Sequence, residues 1–364
     1  MMGKIRVGVI GANLQGSWGV GAHLPALAAL DEFEVSAVAT SHLESARATA
    51  SRFGVPHAFD DPRALVAHPQ VDVVAVCVRV PAHFELVTMA LEAGKHVYCE
   101  WPLGRDTHEA QALHAAAEQA GIVHMIGLQA RSAPVLNYAR ALIANGEIGT
   151  IRSAGLTHSS DWISHPYPSM AYLQDRSSGA HFLSIPGGHS IDALTWMLGD
   201  FQTLSGVLKT ARREVAVVGT NEVIERSSAD QVVVAGELEG GAVATIRLSG
   251  APSPGTGVRL EINGDDGDLV VVAAPGSRGI QMSDLALYRT RGMGGLEPVE
   301  IPDAAYRTPG SLRANPPLNV AEAYLRMADA IAGKKAPRPD FGDAVKLHET
   351  LDRIEQAART GRCL

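Results

Sequence analysis

Two stretches of this 364-residue chain hold residue types whose spacing could do chemistry. The first runs from Lys4 to Leu30, KIRVGVIGANLQGSWGVGAHLPALAAL. Its β-branched run Ile5 to Ile10 breaks at Gly11. Asn13, Gly16 and Trp18 follow before apolar residues return at helical spacing, at Leu24, Ala26, Leu27 and Leu30. A strand, a glycine turn and a helix start in that order present backbone N–H groups to a pyrophosphate, which is the physical basis of a dinucleotide fingerprint. Asn13 stands where the middle glycine of that fingerprint would be. The second stretch, His158 to Phe182, is polar and aromatic and too long for an ordinary connection. Its Trp162, Tyr167 and Tyr172, interleaved with His158, His165 and His181, predict an ordered, ligand-facing loop. It leads into Gly187-Gly188-His189. Aromatic rings stack on sugar faces, and Arg or His side chains hold hydroxyls or an anionic group. The histidines match no common zinc spacing, so no metal is expected.

The elements that must position these residues alternate in the first third of the chain. Strands are expected at Ile5 to Ile10, Glu34 to Thr40, Val71 to Val78, Lys95 to Cys99 and Val123 to Leu128. Helices are expected at Leu43 to Phe53, His83 to Ala93 and Asp106 to Ala120. Such alternation builds a parallel sheet that holds ligands at the carboxyl ends of its strands. After a helix at Ala133 to Ala144 the pattern changes. Strands dominate from Ile151 to Tyr288, with hairpin signals at Gly240-Gly241 and in the GDDG run, and helices return at Asn319 to Ala332 and Gly342 to Thr360. The expected fold is α/β: a Rossmann dinucleotide-binding domain over residues 1–130, then an α+β domain over 131–364 with a large, mostly antiparallel open sheet. The last helix is expected to pack back on the first domain.

Composition narrows the class. The chain is 46% hydrophobic and 19% charged, with a net charge of −8, which disfavours a nucleic-acid surface. Cys77, Cys99 and Cys363 cannot make a disulfide framework. No apolar run approaches the ~20 residues of a membrane span, and the chain enters its first strand without a leader, so a cytoplasmic protein with no membrane partner is expected.

The sequence also resembles a known family. Val80-Pro81 and His83 after one strand, GKHVYCEWPL after the next, and Gly188-His189-Ser190-Ile191-Asp192 resemble motifs of the glucose–fructose oxidoreductase / inositol dehydrogenase / MocA family. Within it, the elongated turn from Gly11 through Trp18 to Ala26, the run Glu100-Trp101-Pro102-Leu103 and the segment Gly127-Leu128-Gln129-Ala130-Arg131 resemble the group that contains the fungal galactose-regulon repressor. The resemblance implies NAD or NADP as cofactor, with Gly11, Asn13, Gly16, Trp18, Ser41, Val80, Pro81, His83, Glu100, Trp101 and Gln129 on its site. It implies a sugar or glycoside held by Arg131, His158, Trp162, His165 and His181, and a homodimer or homotetramer formed through the antiparallel sheet. Family dehydrogenases carry a lysine where Trp101 stands, and an Asp where Ile185 stands. An indole cannot accept a proton. His189, with an ordinary pKa near ~6.5, is left as the base, relayed through Tyr167 or Tyr172.

Three readings follow. They are a nicotinamide-dependent sugar dehydrogenase, a glycoside hydrolase that oxidises, eliminates, hydrates and re-reduces its substrate, and a non-catalytic sugar or dinucleotide sensor. The loop after the second strand, Thr40-Ser41-His42, carries no acid to hold ribose hydroxyls and repel a 2′-phosphate. Preference between NAD and NADP is therefore expected to stay below about a thousandfold, ~4 kcal/mol, in titration calorimetry. A larger preference would show that charge outside this loop makes the choice.

Overall fold

Short β-branched runs that bury both faces make the first sheet. In the computed structural model, which describes residues 3–253, 255–292 and 294–364, they are β1 (Ile5–Ile10), β2 (Phe33–Ala39), β3 (His57–Phe59), β4 (Val73–Val76), β5 (His96–Glu100) and β6 (His124–Gly127). Between them lie α1 (Leu24–Ala28), α2 (Leu43–Phe53), α3 (Pro62–Val66), α4 (His83–Glu92) and α5 (Thr107–Ala120). The sheet is parallel in the order β3-β2-β1-β4-β5-β6, the doubly wound arrangement. The Rossmann fold expected from the alternation is therefore present. The short strand β3 and the single-turn α3 were not legible, because neither is long enough to show a period. Helix α3 nevertheless packs tightly: a Cβ added at Gly8 would meet Leu65 Cδ2 at 2.7 Å.

The second sheet has eight strands. After α6 (Pro134–Ala144) come β7 (Ile151–Ser159), α7 (Gly188–Leu198) and β8 (Phe201–Lys209), then a separate ribbon, β9 (Glu214–Ala216) with β10 (Val223–Glu225). The sheet continues with β11 (Gln231–Leu238), β12 (Val243–Ser249), β13 (Val258–Gly264), β14 (Asp268–Ala273), β15 (Ala286–Arg289) and β16 (Glu297–Val299). Its order is β16-β15-β14-β13-β7-β12-β11-β8, antiparallel except where β7 meets β12. Burial alternates along β8, β11 and β12, as in a sheet packed on one face only. Leu204, Val232, Val234, Ile246 and Leu248 point into the core, whereas Val207, Val233 and Val243 are exposed on the other face.

The chain closes with α8 (Pro317–Ile331) and α9 (Phe341–Thr360). Two compact units result: residues up to Gln129 with Tyr306–His348, and Ala130–Ala305 with Glu349–Leu364. Residues 306–348, expected in the second domain, thus belong to the first unit. The physical reason is α8, which buries Val320, Tyr324, Leu325 and Met327 in the same core as Val7, Val9, Leu24 and Leu27.

The segment from His158 to Phe182, expected as one ordered loop, leaves β7 after Ser159 and runs in tight turns, with 3-10 helices at Pro168–Gln174 and Arg176–Ser178. A buried guanidinium fixes it. Arg226 Nε donates to Gln174 Oε1 at 2.6 Å, Nη2 to the Ile163 carbonyl at 2.7 Å, and Nη1 to Asp230 Oδ2 at 2.9 Å. Asp230 also accepts from the backbone N–H groups of Ala211 and Arg212. Replacing Arg226 by leucine strands a buried carboxylate and two acceptors. The expected loss is ~3–5 kcal/mol in denaturant unfolding, with new protease cuts between residues 160 and 181. An unchanged midpoint would show that the turns hold themselves.

Candidate functional site

In the first unit the site begins where β1 ends. Gly11 has φ +98°, and a Cβ there would stand 2.4 Å from the Cys77 carbonyl oxygen, so only glycine lets the turn lie this close to the end of β4. Asn13 shapes the next residues: its N–H donates to Ser17 Oγ at 2.8 Å and its Oδ1 accepts from Gln15 N at 3.0 Å. Gly16, with φ +94°, sits at the exposed tip with open space where its Cβ would be. The close approach between helix and turn falls at Gly19, whose added Cβ would be 3.1 Å from Ala12 Cα. Sequence reasoning did not single out Gly19, because the elongated turn hides its spacing from Gly11. Trp18 leaves its indole Nε1 buried, and among the described residues it has no hydrogen-bond partner.

Four parts of the chain converge on Glu100, the last residue of β5. Its carboxylate lies over Gly127 of β6, where a Cβ would be 2.6 Å from Oε2. Gln129 Nε2 donates to Oε2 at 2.7 Å, and His23 Nε2 meets Oε1 at 2.8 Å. His23 Nδ1 in turn lies 2.8 Å from the Tyr324 hydroxyl. With a carboxylate on one side, the ring donates from Nε2 and accepts the tyrosine proton at Nδ1. His23 and Tyr324 were not expected here, since they lie 77 and 224 residues from Glu100 and no local pattern links them. Gln129, expected at the cofactor, uses its donor end on Glu100.

Other expected cofactor residues are structural braces. The His83 ring is buried between the carbonyls of Pro102, 2.8 Å from Nδ1, and Val78, 3.1 Å from Nε2. It ties together the segments that leave β4 and β5. Trp101 is 4% exposed and packs its ring 4.7 Å from that of His348 on α9. Val80 is buried, while Ser41 and Pro81 are exposed beside the ends of β2 and β4.

In the second unit, His189 lies in the first turn of α7, after a wide turn at Leu183–Gly187 that contains Ile185. It is buried, and among the described residues its Nδ1 has no partner. Burial and the neighbouring His158 lower its pKa to about 3. Three residues along the helix, Asp192 takes Arg131 in a forked pair, with Nη2 to Oδ1 at 2.6 Å and Nε to both oxygens at 3.0 and 3.1 Å. Arg131, expected to hold substrate, is therefore committed to Asp192, a pairing across 61 residues that no sequence window shows.

The remaining loop residues do not share one environment. Tyr167 is 58% exposed, His165 is exposed, and Trp162 and Tyr172 are half-buried, so these can meet a ligand. His158 cannot reach bulk solvent: it is an inward residue of β7, its Nδ1 3.3 Å from Ser190 Oγ. His181 opens on another cavity of about 580 Å³, lined by Arg176, Leu208, Glu355 and Arg359. Among the described residues no group of three or more His, Cys, Asp or Glu side chains is arranged to hold a metal ion, and no helix is long and apolar enough to cross a membrane.

Two family models match this chain. A family model described as "Oxidoreductase family, NAD-binding Rossmann fold" covers residues 5–128, and one described as "Gal80p, C-terminal domain" covers 134–273. The galactose/lactose regulatory protein of Kluyveromyces lactis is 29% identical over 309 residues, 78% of this chain and 66% of that protein. Levoglucosan dehydrogenase of Pseudarthrobacter phenanthrenivorans is 32% identical over 218 residues, 57% of this chain and 55% of that protein. A solved levoglucosan dehydrogenase, in complex with NADH and L-sorbose, superposes with a TM-score of 0.83 at 26% identity, covering 100% of this chain and 99% of that one. The chain spans between 48% and 66% of the length of the first four curated relatives it matches.

The buried histidines set an acid limit. His158, His181 and His348 are lowered to about 4 and His189 to about 3, chiefly by burial. The unfolded chain protonates each near ~6.5, so stability is complete above that pH and falls as pH drops towards 4. At pH 5 the expected loss is ~1–2 kcal/mol per histidine, read from urea unfolding at pH 7 and pH 5. Equal midpoints would show that these rings are not held neutral.

Proposed function

We propose that this chain, which joins a Gfo/Idh/MocA-family NAD-binding domain to a C-terminal domain of the Gal80p type, acts on a sugar or sugar derivative by hydride transfer at a ring carbon. The observation that carries the reading is His189, a buried imidazole held neutral in the first turn of α7. The likeness to levoglucosan dehydrogenase supports it. The first unit fits a dinucleotide: at Gly11 the turn lies against the Cys77 carbonyl at the end of β4, where no Cβ has room, and among the described residues the Trp18 indole N–H has no partner. Bound there, the nicotinamide supplies a two-electron hydride acceptor.

The chain's own residues do the rest. Backbone around Gly11 and Asn13 receives the pyrophosphate, and Ser41 receives the adenosine ribose. Glu100, held by His23 and Gln129, keeps one carboxylate orientation at the end of β5. His189 accepts the hydroxyl proton as hydride leaves the same carbon. Trp162 offers a ring face to the sugar, and Tyr167 or Tyr172 relays the proton onwards. The exposed valines Val207, Val233 and Val243 support the expected self-association through the second sheet.

A second reading is favoured by the same histidine. A base with a pKa of about 3 holds a proton at pH 7 only at a cost of ~5 kcal/mol. It suits a reaction that takes a proton and soon gives it back, as in transient oxidation of a glycoside followed by elimination, water addition and re-reduction. Trp101, standing where family dehydrogenases carry lysine, favours the same route.

The experiment offers free sugars and aryl glycosides with NAD and NADP, following reduced cofactor and aglycone separately. Stoichiometric reduced cofactor supports the dehydrogenase, and aglycone release without net reduction supports the hydrolase. Silence in both channels overturns the enzymatic reading in favour of a sensor. In either active case His189→Ala is expected to lower kcat by ~10²–10⁴ with dinucleotide affinity retained.

A further inference from the structure

Among the described residues, two buried ring nitrogens of the second unit lack a protein partner: Nδ1 of His189 and Nε2 of His158. Their rings come from α7 and β7, and His158 reaches the residue beside His189, with its Nδ1 3.3 Å from Ser190 Oγ. Ser190 settles which nitrogen of His158 carries the proton. Its hydroxyl has one hydrogen and donates it to the Pro186 carbonyl at 2.8 Å, back along the helix. Toward His158 the oxygen can then only accept, so His158 donates from Nδ1. Both rings are held neutral by burial, and His158 is the one neighbour that further depresses His189. The Nε2 of His158 is thus a bare, buried acceptor.

A buried acceptor and a buried donor left unmatched each cost free energy, and pairing them removes both costs. We propose that His158 is a positioning residue for His189: its Nε2 takes the Nδ1 proton of His189 across one bridging water, so that His189 presents a bare Nε2. The inference deepens the proposed function, since it explains how His189 arrives as a proton acceptor and not as a donor. An isolated imidazole prefers the proton on Nε2, so the opposite tautomer has to be imposed by its surroundings. The chain of imposition runs from the Pro186 carbonyl through Ser190 and His158 to His189. It uses no charged group, which fits a site that must leave His189 neutral.

The test reads tautomers, not turnover, and stands whatever the protein catalyses. In protein labelled with ¹⁵N at histidine, long-range proton–nitrogen correlation separates bare ring nitrogens from N–H nitrogens. The rings are assigned through His189→Gln and His158→Phe. Expected in the full chain without added ligand is Nδ1–H with bare Nε2 for both His158 and His189. In His158→Phe the His189 signals should move to the Nε2–H form or to a mixture of the two. Ser190→Ala removes only a hydroxyl and should loosen both tautomers, which keeps the test open if the phenylalanine variant does not fold. Nε2–H on His189 in the wild type overturns the proposal, and so does an unchanged Nδ1–H in the variants. If the tautomers behave as expected while all turnover assays stay silent, the relay stands and the enzymatic reading falls.

Discussion

The first unit depends on one short chain of hydrogen bonds: Tyr324 to His23, His23 to Glu100, and Gln129 to the other oxygen of Glu100. Each group comes from a different element, namely α8, the turn that follows the fingerprint, β5, and the segment after β6. A carboxylate at the end of a parallel strand is costly in an apolar setting unless its lone pairs are matched. Here His23 and Gln129 match them, and Gly127 gives up its side chain so that the carboxylate has room. Residues near the carboxyl end of the sheet are thereby placed by core packing. The aromatic stack of Tyr324 on Tyr98, with ring centroids 5.0 Å apart, continues the same bracing into the interior.

The second unit solves the same problem with arginine. Arg226 and Arg131 are each paired with an aspartate inside the protein, Asp230 and Asp192. Such pairs gain little net stability over apolar packing, because both charges must be desolvated. What they supply is direction. The guanidinium fork of Arg226 fixes the turns that carry Trp162, Tyr167 and Tyr172, and that of Arg131 holds the face of α7 that also bears His189. Among the described residues, the imidazole of His189 is governed by burial and by its histidine neighbour.

The two units use their sheets differently. The parallel sheet is covered on both faces and is rigid, which suits a turn at Gly11 that tolerates no Cβ. The eight-stranded sheet keeps one face open and lines the other with Leu204, Val234, Ile246 and Leu248. Exposed valines on that open face are an ordinary hazard for a lone sheet, and covering them by self-association is the physical remedy.

Sequence alone determined what rests on local periodicity. The β-branched runs announced the parallel strands, the glycine at the end of β1 announced the dinucleotide turn, and the hairpin signals at Gly240-Gly241 and in the GDDG run announced a mostly antiparallel sheet. Motif resemblance placed Glu100 and His189 on the ends of their elements. Only the tertiary structure decided the partners. Arg131 looked free and is bound to Asp192, His83 looked like a ligand contact and is hydrogen-bonded to two carbonyls, and His181 lines a cavity with Arg176, Leu208 and Glu355. His23, Tyr324, Gly19 and Arg226 carried no signal, because each owes its role to a residue distant in sequence or to a backbone approach that spacing does not encode. Period is a property of neighbours along the chain and can be read there. Hydrogen-bond pairing of buried groups is set by which surfaces the folded chain brings together, and that is fixed only once the chain has folded.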